Sequence, residues 1–276
     1  MFEQHFGFTQ PPFRKDLPPP SLYRSQGHVE LTTRLRMAAE RCHIAIVTGD
    51  AGAGKSTALR AIAQTLGLGG YRFLYTANPT LSARDLYRQW LRDLRVPPPF
   101  TAAEARRVLR EALVSSREAG KVTALIVDEA HLLAPAMLEE LRMLTSFEMD
   151  AAPVFALILA GHPELAHLLS SPRCQALAQR VGVRYHLGSM TWDETKAYVV
   201  HHFQFAGVTH PLVTDGAMRQ VFQHSHGTPR SINRLILRTL ELAYCHQQQL
   251  VCVLSTEIPW SNHRFFPGVI TGFSLV

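Results

Sequence analysis

The eight residues Gly49-Asp50-Ala51-Gly52-Ala53-Gly54-Lys55-Ser56 constrain this chain more than any other stretch. They fit the phosphate-loop pattern Gly-x-x-x-x-Gly-Lys-Ser, which works only where a strand enters the loop and a helix leaves it. Both flanks qualify. His43 to Thr48 is a β-branched apolar run that reads as a buried strand. Lys55 to Leu66 places Leu59, Ile62, Ala63 and Leu66 on one helical face and stops at Gly67. Glycines let backbone N–H groups curl around a phosphate, and the helix N-terminus adds partial positive charge. Lys55 then reaches the β- and γ-phosphates, and the Ser56 hydroxyl is a ligand for Mg²⁺. Gly49 through Thr57 are therefore the candidate contacts for ATP, against the plainer alternative of a Gly-rich turn that binds nothing.

The rhythm of strand and helix continues beyond the loop. Tyr71 to Thr76, Val122 to Val127, Val154 to Ala160 and Val183 to Leu187 read as strands. Helical spacing covers Ser82 to Leu94, Thr101 to Ala119, Pro135 to Phe147 and a stretch through Leu169. Strands alternating with helices of this length predict an α/β fold, a parallel sheet with helices on both faces. After Gly188 the period becomes all helical, over Thr191 to Phe205, Thr214 to His224 and Pro229 to His246, which predicts a second, smaller domain. The expected organisation is a Pro- and Phe-rich strap over 1–28, an α/β core over 29–188, a small helical domain over 189–250 and an atypical tail over 251–276. Helical spacing in the core begins at Val29.

Ala124-Leu125-Ile126-Val127-Asp128-Glu129 supplies the second half of a phosphate site. An apolar strand ending in a carboxylate pair is a Walker B arrangement, with Asp128 holding the Mg²⁺ shell and Glu129 polarising the attacking water. Alone, such a pair is often only a helix cap. Following a phosphate loop, in a sheet expected to set both strand ends side by side, it reads as catalytic. Asp128-Glu129-Ala130-His131 also spells a helicase box, but a helicase needs a second domain of this kind, for which 276 residues are too few.

Composition removes other classes. Cys42, Cys174, Cys245 and Cys252 form no Cys-x-x-Cys clip, so a disulfide scaffold or zinc site is not expected and the thiols read as reduced. Among the 14 histidines the close pairs His201-His202 and His224-x-His226 have no carboxylate or thiol partners at ligand spacing, so scattered surface or cap histidines are the expected reading. No signal peptide is apparent, and the longest apolar run, Ala151 to Ala160, is far short of the roughly 18–20 residues that span a bilayer. A cytoplasmic protein without a membrane span is expected. The net charge of +6 permits nucleic acid without requiring it, and with only four lysines among 28 cations the arginine skew fits a GC-rich genome.

With both phosphate motifs and the helical tail placed, the chain resembles the AAA+ ATPases of the ExeA-like group over roughly residues 2 to 250. Phe6-Gly7-Phe8, Pro12-Phe13 and Leu22-Tyr23 are similar to that family's N-terminal strap. Leu138 to Leu144, with Phe147 to Asp150, resembles its helix after Walker B; Ala160-Gly161-His162-Pro163-Glu164-Leu165 falls at its sensor strand. Gln179-Arg180-Val181 and Gly227-Thr228-Pro229-Arg230-Ser231-Ile232-Asn233-Arg234 complete the match.

The resemblance implies a P-loop NTPase core with a helical lid, and roles that spacing cannot assign. His162 stands at the sensor 1 position, where the family would show glutamine, a departure that adds pH dependence; the plainer reading is a strand-end cap. Arg180 looks like the arginine finger, reaching a neighbouring subunit's γ-phosphate in a homo-oligomer, with Arg173 and Arg184 as rivals. Arg230 looks like sensor 2, coupling nucleotide to the lid. Adenine would lie between strap and lid, making Tyr23 a candidate for base stacking, whereas Phe6, Phe8 and Phe13 are better read as core anchors. Asp50 and Ser146 have no defensible role.

Two jobs compete among such relatives. Secretion-pathway members add a membrane span and a wall-binding region, neither present here, whereas free-standing ATPases of this size resemble transposition helpers that assemble on DNA and engage a transposase. The second is the expected reading. A DNA path falls on the helices carrying Arg84, Arg88, Arg92 and Arg95, then Arg106, Arg107 and Arg110, although the interleaved Asp85, Asp93, Glu104 and Glu111 also fit a salt-bridged, solvated face. A third reading is a nucleotide-gated switch with little turnover. The tail from Ile258 lacks helical period and ends apolar, which reads as a truncated or frame-shifted end or as a partner-binding segment.

Overall fold

The computed structural model describes residues 2–14, 16–67, 70–77, 80–145 and 153–252. The tail beyond 252, Ser146 and the helix end expected at Phe147 lie outside the described residues.

Five strands form one parallel sheet: β1 (Ile44–Gly49), β2 (Tyr71–Thr76), β3 (Val122–Val127), β4 (Phe155–Gly161) and β5 (Val181–Leu187). The order across the sheet is β2-β3-β4-β1-β5. Alternate side chains of a strand face opposite sides. On β3, Leu125 and Val127 join one core with Trp90, Leu109 and Leu141, while Ala124 and Ile126 join the other with Leu31, Leu35 and Leu59. On this strand, buried on both sides, the one polar side chain is answered inside the core: the Thr123 hydroxyl meets Ser116 Oγ at 3.2 Å.

Helices α2 (Gln26–Glu40) and α3 (Lys55–Leu66) cover one face. On the other lie α4 (Ala83–Asp93), α5 (Ala102–Glu118) and α6 (Pro135–Thr145), after the short α1 (Phe2–His5) at the chain start. Two short helices, α7 (Glu164–Leu169) and α8 (Gln175–Gln179), connect β4 to β5. The Trp90 indole N–H donates to Thr76 Oγ1 at 3.0 Å, satisfying two polar groups that the apolar core would otherwise strand.

Helix α2 starts before Val29, the expected boundary of the strap. Ser25 caps it by accepting the His28 N–H at 3.2 Å, so Gln26-Gly27-His28 are helical. Gly27 conceals this start because glycine is a poor helix former, yet a Cβ there would stand 3.2 Å from Leu187 Cδ1. The close approach of α2 to the sheet favours the smaller residue.

The C-terminal region is all helical: α9 (Trp192–Phe205), α10 (Asp215–Ser225) and α11 (Pro229–Cys245). Its core includes Val199, Phe203, Val221, Ile232, Ile236 and Leu240, and also Phe6, Phe8 and Phe13 from the N-terminal strap. The strap phenylalanines are thus anchors of the helical region. Among the described residues no helix is long and apolar enough to cross a membrane.

Candidate nucleotide site

Three strand ends form the floor of the site. β1 runs into the phosphate loop, β3 into Asp128-Glu129 and β4 into His162. The expectation that the first two ends lie side by side is corrected by the sheet order, because β4 pairs with both β1 and β3 and separates them. The intervening strand brings His162 between the two motifs.

The loop bends where glycine is required. Gly52 and Gly54 have φ of +84° and +106°, in the left-handed region that side chains disfavour. A Cβ on Gly52 would also fall 2.5 Å from Arg230 Cβ. The Arg230 N–H donates to the Gly52 carbonyl at 3.3 Å, so the first turn of α11 rests directly on the loop. The Lys55 ammonium is buried and donates to the carbonyls of Gly49 at 2.6 Å and Asp50 at 3.0 Å. Burial lowers its pKa, against the opposing pull of Glu129, Asp128 and Asp50.

Asp128, 3% exposed, accepts three hydrogen bonds. Ser56 Oγ and the Tyr75 hydroxyl both donate to Oδ2 at 2.7 Å, and the Glu129 N–H donates to Oδ1 at 2.9 Å. Burial, and then the bond to Asp128, raise the Tyr75 phenol, which stays protonated as a donor. Ser56 and Asp128 are therefore adjacent oxygen ligands of the hard type that suits Mg²⁺.

Glu129 takes a left-handed φ of +53°, a strained choice for a side-chain-bearing residue of the kind found at functional sites. Its Oε2 lies 3.5 Å from His131 Nδ1 and 3.7 Å from His162 Nε2. The two imidazoles stack with centroids 4.2 Å apart and planes 14° from parallel, and the His162 backbone N–H donates to His131 Nδ1 at 3.3 Å. The ligating atoms of these three residues fall within 4.8 Å of one another.

A cavity of about 1140 Å³ runs from residues 51–57 past Glu129, His162 and Arg230 to the strap. Its far end includes Phe13, Tyr23, Tyr198 and His202. Tyr23 meets the Tyr198 ring edge-on at 5.6 Å. Glu194 closes the side: Oε1 accepts the Gln26 N–H at 2.8 Å and Oε2 accepts the Thr191 N–H at 3.0 Å.

The lining includes none of Gly49, Asp50, Asp128 and Arg180; Gly49 and Asp128 are buried and Asp50 is exposed. Arg180 follows α8, and its charge contributes, after Arg142, to lowering the Glu139 carboxyl on α6. Its rival Arg184 donates to the Ala178 carbonyl at 2.8 Å. On the arginine-bearing face, Arg84 pairs with Asp85 at 3.3 Å, Arg107 bridges Glu104 and Glu111, and Arg106 pairs with Glu140 at 3.1 Å. This is the interleaved, ion-paired arrangement. Arg88 is half-buried, and its shielded Nε has no hydrogen-bond partner among the described residues.

Sequence reasoning missed Tyr75, Glu194, Tyr198 and His202, and it quoted His131 without assigning it a role. Thr191-x-x-Glu194 is a legible capping box, and both its bonds are present. No signal in the sequence shows that Glu194 also reaches Gln26.

A parallel sheet in this order, with a glycine-rich phosphate loop after β1 and a carboxylate pair after β3, defines the AAA+ class of P-loop NTPases. Residues 37–169 match the family described as AAA domain. The chain is 34% identical over 247 residues to "General secretion pathway protein A" of Aeromonas hydrophila, covering 88% of this chain and 45% of that protein. It is an AAA+ protein of the ExeA-like group, and it spans under half the length of that relative. Solved structures share the fold. Cdc6p from Pyrobaculum aerophilum matches with a TM-score of 0.65 and 18% identity, over 90% of this chain and 68% of that one. Drosophila ORC bound to DNA matches with a TM-score of 0.63 and 14% identity, over 92% and 63%.

Proposed function

We infer that this chain binds and hydrolyses ATP, and that the state of the site is passed to the helical region as a lid. The observation that carries the reading is the convergence of a phosphate loop, the Ser56–Asp128 contact at 2.7 Å and Glu129 in one cavity. Ser56 and Asp128 would hold Mg²⁺, which when bound neutralises phosphate charge. Residues 51–57 offer backbone donors and a helix N-terminus to the phosphates, and Lys55 adds the buried cation. Glu129 is the base that takes a proton from the attacking water, with His131 and His162 beside its Oε2. His162 stands where a sensor would, and Arg230 links the loop to α11. Arg180 completes the site of a neighbouring copy in an oligomer.

Glu129→Gln tests the assignment. Turnover is expected to fall by about 10²–10⁴-fold with ATP binding retained; unchanged turnover would remove Glu129 from the role of base.

For the cellular job, we favour a helper ATPase of transposition that assembles on DNA in its ATP state and engages a transposase. A fold shared with DNA-bound ORC supports the DNA part. The second reading, an ATPase of a secretion pathway, is favoured by the 34% identity to the secretion protein. ATP turnover and DNA binding measured across a salt series separate them. ATP-dependent, sequence-independent binding that falls steeply with salt supports the first, and turnover indifferent to DNA supports the second. Arg88→Glu and Arg107→Glu test the α4–α5 face directly, since binding unaffected by them removes that face from the DNA path.

A further inference from the structure

His202 is a buried imidazole whose nitrogens have no use in the fold. It lies on α9, is 4% exposed and stacks on Phe13 with centroids 4.8 Å apart and planes 29° from parallel. Tyr198 meets the same ring at 4.4 Å and 64°. A phenyl ring would pack this recess without bringing polar atoms into it. Nδ1 is fully shielded and has no hydrogen-bond partner among the described residues. Buried polar atoms are nearly always paired, so an orphan calls for an explanation. Nε2 makes no hydrogen bond either, yet it is not shielded, and the residue lines the cavity that begins at the phosphate loop.

The protonation state follows from burial. Desolvation, reinforced by the neighbouring His201, pushes the pKa of His202 down to about 4, so the ring is neutral near pH 7 and carries one N–H. A shielded N–H without an acceptor is rarer and costlier than a shielded lone pair. The proton therefore belongs on Nε2, at the edge open to the cavity. What results is an aromatic slot among Phe13, Tyr23 and Tyr198 with one neutral donor in it, continuous with the volume that holds Lys55 and Ser56.

We propose that His202 reads the base of the bound nucleotide, its Nε2–H donating to ring nitrogen N1 of adenine, and that it thereby selects adenine over guanine. This rests on the ATP reading of the phosphate loop. Adenine N1 carries a lone pair, whereas guanine N1 carries a hydrogen beside a second donor, the 2-amino group. A fixed donor in a desolvated slot pairs with the first and leaves two donors opposed with the second. Leaving buried donors unpaired discriminates more strongly than gaining one bond attracts.

The test compares the affinities of ATP, GTP and 1-deaza-ATP, in which a C–H replaces N1, for wild type, His202→Phe and Lys55→Ala. Wild type is expected to bind 1-deaza-ATP about 5–10-fold more weakly than ATP, the contribution of one hydrogen bond. His202→Phe keeps the aromatic packing and is expected to bind the two within about twofold, with its preference for ATP over GTP lost. Lys55→Ala weakens all three alike. Wild type binding 1-deaza-ATP as tightly as ATP overturns the proposal without recourse to any variant, and so does a penalty that persists in His202→Phe. Failure of wild type to bind any of the three overturns the ATP reading itself, and the base assignment with it.

Discussion

The two ends of the cavity are built by different means. At the phosphate end, one contiguous loop and two strand ends place backbone N–H groups, Lys55, Ser56 and Asp128, and the strain of Glu129 is held by the sheet beneath it. At the base end, the wall comes from three distant stretches: the strap with Phe13 and Tyr23, the start of α2, and the lid helices with Tyr198 and His202. Chemistry that must be exact is attached to the rigid sheet. Recognition is shared between the core helix α2 and the strap and lid, whose aromatic side chains belong to one hydrophobic cluster. The phosphate end is therefore a fixture, and the base end is an interface.

That contrast predicts effects of different kind and size. Arg180→Ala should leave ATP affinity intact, since Arg180 does not line its own cavity, and should lower turnover by about 10³–10⁵-fold. Mixing it with Glu129→Gln protomers should restore part of the activity, because each copy then supplies what its neighbour lacks. Failure to restore any would break the trans assignment.

Acidification should act instead on the base end. His202 is depressed to about 4 in the folded protein against 6.5 in the unfolded chain. Between those values only the unfolded chain takes up the proton, so stability is full above about pH 6.5 and declines as pH falls towards 4, by up to about 3 kcal/mol. His28, lowered chiefly by burial, adds a loss of the same sign. Chemical denaturation of wild type and His202→Phe across this range measures the difference; parallel curves would contradict it. Smallest is Thr191→Ala, which removes the cap on the Glu194 N–H and is expected to cost about 1 kcal/mol, read as a fall of about 2–4 °C in Tm, with the phosphate end unaffected.

The same contrast explains what the sequence discloses. The phosphate loop and the strand ending in Asp128-Glu129 are local patterns, legible because each motif lies in consecutive residues. The α/β alternation and the change to an all-helical period after Gly188 are also local, and the sheet and helices follow them. Strand adjacency is not local, so the separation of β1 and β3 by β4 required the tertiary structure. Nor does any periodicity show that Tyr75 reaches across to Asp128, or that His202 faces a cavity whose opposite wall is the strap. The arginines of α4 and α5 teach a related lesson. Composition registers their charge, but only the ion pairs of Arg84, Arg106 and Arg107 show how much of it is answered within the chain.

Glu194 carries a consequence of its own. One carboxylate secures the first helix of the lid through Thr191 and the first helix of the core through Gln26. A swing of the lid away from the core must release the Gln26 bond while the capping box travels with α9. The Gln26 amide then faces solvent and its proton exchanges, while the neighbouring His28 amide stays held by Ser25 on the core side. The ratio of hydrogen exchange at these two amides is a built-in gauge of lid position, needing no label and no change of residue.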